Sequence, residues 1–137
     1  MLVVLDTNIP FSALITKAGT PGPIYQAWDD HVFQVVTCHE QLEEIRRASK
    51  YFRFRSTMKR ADVGRLINRL RASRMIHPLV KLHSALDPSD SFLLDLAEVS
   101  NADYLVTGDR RSGLLERQRV GRAAFLTAKA FAGRLLL

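Results

Sequence analysis

The chain has 137 residues, 47% hydrophobic and 25% charged, the balance of a globular protein long enough to bury one substantial core. Its 20 Lys and Arg outnumber 14 Asp and Glu, and eleven of those cations fall between Arg46 and Arg74 with one acid among them, Asp62, so the remainder is net acidic. One cysteine, Cys38, excludes a disulfide framework, and no apolar run approaches the roughly 18–20 residues of a membrane span.

In chain order, Leu2, Val3, Val4 and Leu5 form an apolar run without polar alternation, as expected of a strand buried on both faces. Asp6 interrupts that run too soon for a signal peptide, so a cytoplasmic location is expected. The run ends directly in Asp6-Thr7-Asn8, and Asp6 is either a cap for the next helix or the floor of a site. Residues 9–15 begin a helix, Gly19 to Pro23 break it, and Pro23 to Trp28 begin a second. Phe33 to Thr37 read as another buried strand. Cys38, Leu42 and Ile45 then make a helical stripe, with Glu40, Glu43 and Glu44 off it. Val63, Leu66, Ile67 and Leu70 repeat that periodicity, which makes part of the basic segment an amphipathic helix. Asp87-Pro88-Ser89-Asp90 opens a helix through about Glu98, with Asp87 at the N-cap and Pro88 at the first helical position. Tyr104 to Thr107 form a third strand, ending in Gly108-Asp109. Ala123 to Leu126 form a fourth, before a closing helix from about Thr127.

Short apolar strands alternating with helices predict a parallel sheet covered on both sides, with ligands at the carboxyl ends of its strands. Asp6 and Asp109 both fall at such ends. Asp90 shares the apolar stripe of Leu93, Leu94 and Ala97, and an acid turned inward needs a partner. Asp95 and Glu98 lie off that stripe and are expected in solvent. Glu43 and Glu44 flank their own stripe from either side, and periodicity does not choose between them. Carboxylates converging on one edge repel one another unless cations sit among them, and oxygen-only ligation suits Mg²⁺ or Mn²⁺ rather than zinc. Such ions activate water and clamp a phosphodiester. His31, His39, His77 and His83 show no zinc-type spacing. In the basic segment, Arg46, Arg47, Lys50, Arg53 and Arg55 are interleaved with Tyr51, Phe52 and Phe54. The cations suit phosphate contacts, while the aromatics either stack on bases or pack in the core. Together these features point to phosphodiester hydrolysis on a nucleic acid.

The stretches VVLDTN with Ser12, LEEI at 42–45, DPSDSFLLDLA at 87–97 and NADYLVTGD at 101–109 occur in an order and spacing that resemble the PIN domain family. The resemblance covers nearly the whole chain and is to the toxin components of toxin–antitoxin systems, VapC-like ribonucleases. It implies one PIN domain over residues 1–137, a three-layer α/β/α sandwich with a mostly parallel five-stranded sheet. It also implies a metal-dependent endoribonuclease, with Asp6, Glu44, Asp90 and Asp109 as the catalytic, metal-binding acids for Mg²⁺ or Mn²⁺. Glu44 is preferred to Glu43 because the family's glutamate directly precedes an apolar helical residue, as Glu44 precedes Ile45. Thr7, Asn8, Ser12 and Asp87 take supporting positions. Arg111 stands where many relatives have a further aspartate, which leaves one ion or two open. An RNA substrate, an antitoxin protein and a homodimer are the implied partners, with no membrane. The alternative is a catalytically degenerate PIN module that binds RNA or a protein without cleaving. An aspartate-nucleophile phosphatase is disfavoured because Asp6-Thr7-Asn8 lacks the second aspartate of Asp-x-Asp-x-Thr. A phosphotransfer receiver is disfavoured because Asp6 stands alone after the first strand.

Overall fold

Every residue of the first strand, β1 (Leu2–Leu5), is buried because its two faces meet two different cores. Val3 and Leu5 belong to one apolar cluster, Leu2 and Val4 to another. That is the period-two alternation of a strand held between two layers. The computed structural model describes residues 1–16, 19–51, 58–83, 91–108 and 118–137. After β1 come α1 (Asn8–Ile15), α2 (Pro21–Asp29), β2 (Gln34–Cys38), α3 (His39–Ala48), α4 (Arg60–Arg71) and β3 (Arg74–Ile76). They are followed by α5 (Ser91–Val99), β4 (Tyr104–Val106), β5 (Arg119–Val120), β6 (Ala123–Leu126) and α6 (Ala128–Arg134).

The strands form one sheet in the order β3-β2-β1-β4-β6-β5. Four neighbouring pairs are parallel, and β5 joins β6 antiparallel at the edge. The expected mostly parallel, five-stranded sheet is therefore present as β3-β2-β1-β4-β6, with a two-residue sixth strand added. The β5–β6 turn passes Gly121 at φ +53, where a Cβ would approach Glu98 Cγ to 3.1 Å. Glycine avoids both the strain of that φ and the crowding.

On one face of the sheet, Val3, Leu5 and Val35 pack with Phe11 of α1, Trp28 of α2, Leu42 and Ile45 of α3, Leu66 and Leu70 of α4, and Phe131 of α6. On the other, Leu2, Val4, Val36 and Leu105 pack with Leu93, Leu94, Leu96 and Ala97 of α5. Burying each such leucine contributes about 1.5–3 kcal/mol relative to exposure. The result is the expected three-layer α/β/α sandwich. Local signals set several helix ends: Pro21 occupies the first turn of α2, and Thr127 Oγ1 accepts Ala130 N at 3.1 Å to cap α6. The capping residues foreseen for α5, Asp87 and Pro88, lie outside the described residues. Cys38 is fully buried at the end of β2, and burial pushes its thiol up to about 12, so it is inert at neutral pH. Among the described residues, no helix is long and apolar enough to cross a membrane.

Candidate active site at the carboxyl edge of the sheet

Asp6 follows the last residue of β1, the strand flanked by β2 and β4, and is 3% exposed. Its backbone N donates to Val106 O at 2.9 Å, extending the β1–β4 ladder by one residue. The side chain is held from two sides: Thr107 Oγ1 donates to Oδ2 at 2.8 Å, and Asn8 N donates to Oδ1 at 3.3 Å. One oxygen thus steadies the first turn of α1, the capping role left open for Asp6, while the other is tied to the residue that follows β4. These two donors are neutral and fix the carboxylate's orientation. Thr7 is 2% exposed, and its Oγ1 has no hydrogen-bond partner among the described residues. Asn8 is exposed at the start of α1, and Ser12 is half-buried one turn further on.

A second buried network fixes α3 over the same edge. Gln41 Nε2 donates to Leu5 O at 2.6 Å, and Thr37 Oγ1 donates to Gln41 Oε1 at 2.6 Å. The amide therefore ties the first turns of α3 to the end of β1. Glu44 lies three residues beyond Gln41, so it falls on nearly the same side of the helix, and it is half-buried. Glu43 also borders the adjacent cleft, but it is 63% exposed and pairs with Arg46, Nη1 to Oε1, at 3.1 Å. That separates the two glutamates that periodicity left equivalent.

Between α3 and α5 lies a cleft of about 610 Å³, with Glu44 and Arg47 on one wall and Ser91, Phe92 and Asp95 on the other. Asp95 corrects the sequence reading, because it is 2% exposed rather than solvated. Its Oδ1 accepts Leu82 N at 2.9 Å and His83 N at 2.8 Å. The misreading has a physical cause: α5 is enclosed on nearly every side, from Leu93 to Ala97, so no face of it is simply off the apolar stripe. The run FLLDLA, apolar on every side of one acid, was the signal for it. Glu98 remains partly exposed and meets His83, Nε2 to Oε2, at 2.5 Å.

Of the four predicted ligands, the described residues include Asp6 and Glu44, while Asp90 and Asp109 lie outside them, as do Asp87 and Arg111. Of their described neighbours, Ser91 lines the cleft, and Thr107, two residues before Asp109, bonds to Asp6. Among the described residues, no three His, Cys, Asp or Glu side chains come together as a metal-holding group. At the end of β1 the described part offers a cation oxygen donors: the buried Asp6 carboxylate and, on the next residue, the Thr7 hydroxyl, unpartnered among the described residues. That donor set fits a hard ion such as Mg²⁺ or Mn²⁺. Of the predicted RNA-binding residues, Arg46 is turned to Glu43 and Arg47 lines the cleft. Lys50 borders a separate cavity with Met58 and Arg60, and Arg53 and Arg55 lie outside the described residues. Sequence reasoning missed Thr107, Thr37 and Gln41, polar residues in or beside buried strand ends.

An open, mostly parallel α/β sheet with an oriented acid at its carboxyl edge suits a PIN domain, and equally a phosphotransfer receiver or an aspartate-nucleophile phosphatase. The PIN domain family profile matches residues 2–111, and the chain belongs to that family. Among solved structures, it is similar to a chain in the crystal structure of VapBC2 from Rickettsia felis bound to a DNA fragment from their promoter. The TM-score is 0.63 at 16% identity, over 93% of this chain and 98% of that one, a likeness of fold. No curated protein matches the chain.

Proposed function

We propose that the protein is a metal-dependent endoribonuclease, the toxin of a toxin–antitoxin pair, formed by one PIN domain over its whole length. The observation that carries this reading is the Asp6 carboxylate, buried at the carboxyl edge of the sheet and oriented by Thr107 and Asn8. Asp6 and Glu44, with Asp90 and Asp109, would hold Mg²⁺ or Mn²⁺. Such an ion supplies an activated water and offsets charge on the phosphate under attack. The chain's own residues prepare that chemistry. Thr107 and Asn8 fix the direction of Asp6, Gln41 fixes α3 and with it Glu44, and the cleft walls set the path of the substrate. Arg46, Arg47, Lys50, Arg53 and Arg55 would contact RNA phosphates. The likeness to VapBC2 supports an antitoxin partner, and a homodimer in the cytoplasm completes the proposal.

The test is cleavage of single-stranded RNA by the purified protein in Mg²⁺ or Mn²⁺, set beside the same reaction in EDTA. Cleavage that needs the ion supports the reading. RNA binding without cleavage in either metal would leave the degenerate binding module in its place.

A further inference from the structure

Residues 77–83 run from the carboxyl end of β3 toward α5 and are fastened at both ends. At the start, the His77 ring meets the ring of His39, the first residue of α3, edge to face with centroids 4.2 Å apart. At the far end, the buried Asp95 carboxylate accepts the amides of Leu82 and His83, and Glu98 meets the His83 ring. A carboxylate buried that deeply needs donors, and this strap supplies two. Between the fastenings the side chains alternate as on an extended chain. Leu79, Lys81 and His83 line the cleft, while Val80 and Leu82 are 55% and 53% exposed. Lys81 therefore reaches the cleft from the strap as Arg47 does from α3.

The charge balance names the class of occupant. Among the described lining carboxylates, Asp95 bonds backbone amides, Glu43 bonds Arg46, and Glu44 belongs to the proposed metal set. Glu40 then stands against Arg47 and Lys81, a balance that favours an anion, with Leu79 and Phe92 as apolar surface beside it. Because Glu44 and Ser91 line the same cleft, its occupant adjoins the reacting centre.

We propose that the strap is a wall of the RNA path, with Lys81 contacting a phosphate next to the scissile bond and Asp95 acting as the positioning residue that holds Lys81 there. The proposal rests on RNA being the substrate. The experiment measures binding of a fluorescent single-stranded oligoribonucleotide in EDTA, across a salt series. Lys81→Ala should weaken binding and reduce the salt slope by about 0.7, the loss of one phosphate contact on a single strand. Lys129→Ala, exposed on α6, should leave the slope unchanged. Asp95→Ala should reproduce the Lys81→Ala effect and add nothing to it in the double variant, as expected of residues acting through one contact. Asp95→Asn, whose carbonyl oxygen still accepts both amides, should restore binding. In cleavage assays, Lys81→Ala should raise KM with kcat unchanged. If circular dichroism shows Asp95→Ala unfolded, the Lys81→Ala slope decides alone. An unaltered slope in Lys81→Ala overturns the strap assignment and leaves the nuclease reading standing. No RNA binding by the wild type, either in EDTA or in Mn²⁺, overturns both.

Discussion

At the scale of single residues, the two neighbouring glutamates make the sharpest contrast. Glu44 is half-buried on the cleft wall, whereas Glu43 is mostly exposed and paired with Arg46. Glu44→Gln should lower RNA cleavage by more than the roughly 10–100-fold lost when only an orienting partner of a ligand is removed. Glu43→Gln should leave cleavage within about twofold, because an exposed i,i+3 pair contributes little. Equal losses in the two variants would contradict the assignment. The choice between them was not legible in helical periodicity, since both flank the stripe of Cys38, Leu42 and Ile45; the Gln41 bond to β1 favours Glu44, which lies on nearly the same side of α3. Asp6 was legible, because an acid directly after four apolar residues must sit where a buried strand ends. Asp103 supports the fold: it accepts Leu2 N at 2.8 Å and pairs with Arg122 at 3.1 Å. The Leu2 amide foremost, then the Arg122 charge, hold its carboxyl below the ordinary carboxylate range. A lowered native pKa means its contribution is complete above the unfolded value near 4 and is lost as pH falls through the native value. Asp103→Asn should therefore destabilise the protein at pH 7 by about 1 kcal/mol, below the roughly 1.5–3 kcal/mol of a charged hydrogen bond because the carboxylate is partly exposed. Chemical denaturation of both proteins at pH 7 and pH 3 should show that difference shrink toward acid.

At the scale of elements, the positions of β1, β2, β4 and β6 followed from apolar runs bounded by turn residues, α1 and α2 from the Gly19–Pro23 break between them, and α3 and α4 from apolar spacing. The edge strands β3 and β5 were not legible. At three and two residues they are too short to show a period, and they are specified by the neighbours they pair with. The strap after β3 was hidden for the same reason, because its anchor, Asp95, lies in a different element. The pinning of α3 is testable at this scale. Thr37→Val keeps the shape but removes the donor to Gln41 Oε1, leaving a buried acceptor unsatisfied at a cost of about 1–3 kcal/mol. Urea denaturation should show that loss. Cleavage should fall with it if the Gln41 tie is what sets Glu44, whereas a destabilised variant with full activity would separate α3's anchoring from the site.

At the scale of the whole molecule, the basic segment is less uniformly free for a ligand than its composition implied. Arg69 stacks over Trp28 at 5.1 Å and pairs with Asp29, Arg65 pairs with Asp62, and Arg46 with Glu43. These contacts hold α4 on α2 and steady helix surfaces, uses that charge counting cannot distinguish from RNA binding. Arg47 and Lys81 instead come to one cleft from separate parts of the chain, beside an edge where β1 and β4 hold Asp6 in place. The architecture thus holds an oriented carboxylate at the end of β1 and, separately, a cleft with Arg47 and Lys81 on two walls. The most direct measurement is calorimetric titration of Mn²⁺ into the metal-free protein, wild type beside Asp6→Asn, without RNA. Saturable binding by the wild type, weakened at least about tenfold by the substitution, is the predicted result. Equal binding by the two proteins, or none by the wild type, would contradict the claim that β1 ends in Asp6 to hold a divalent ion.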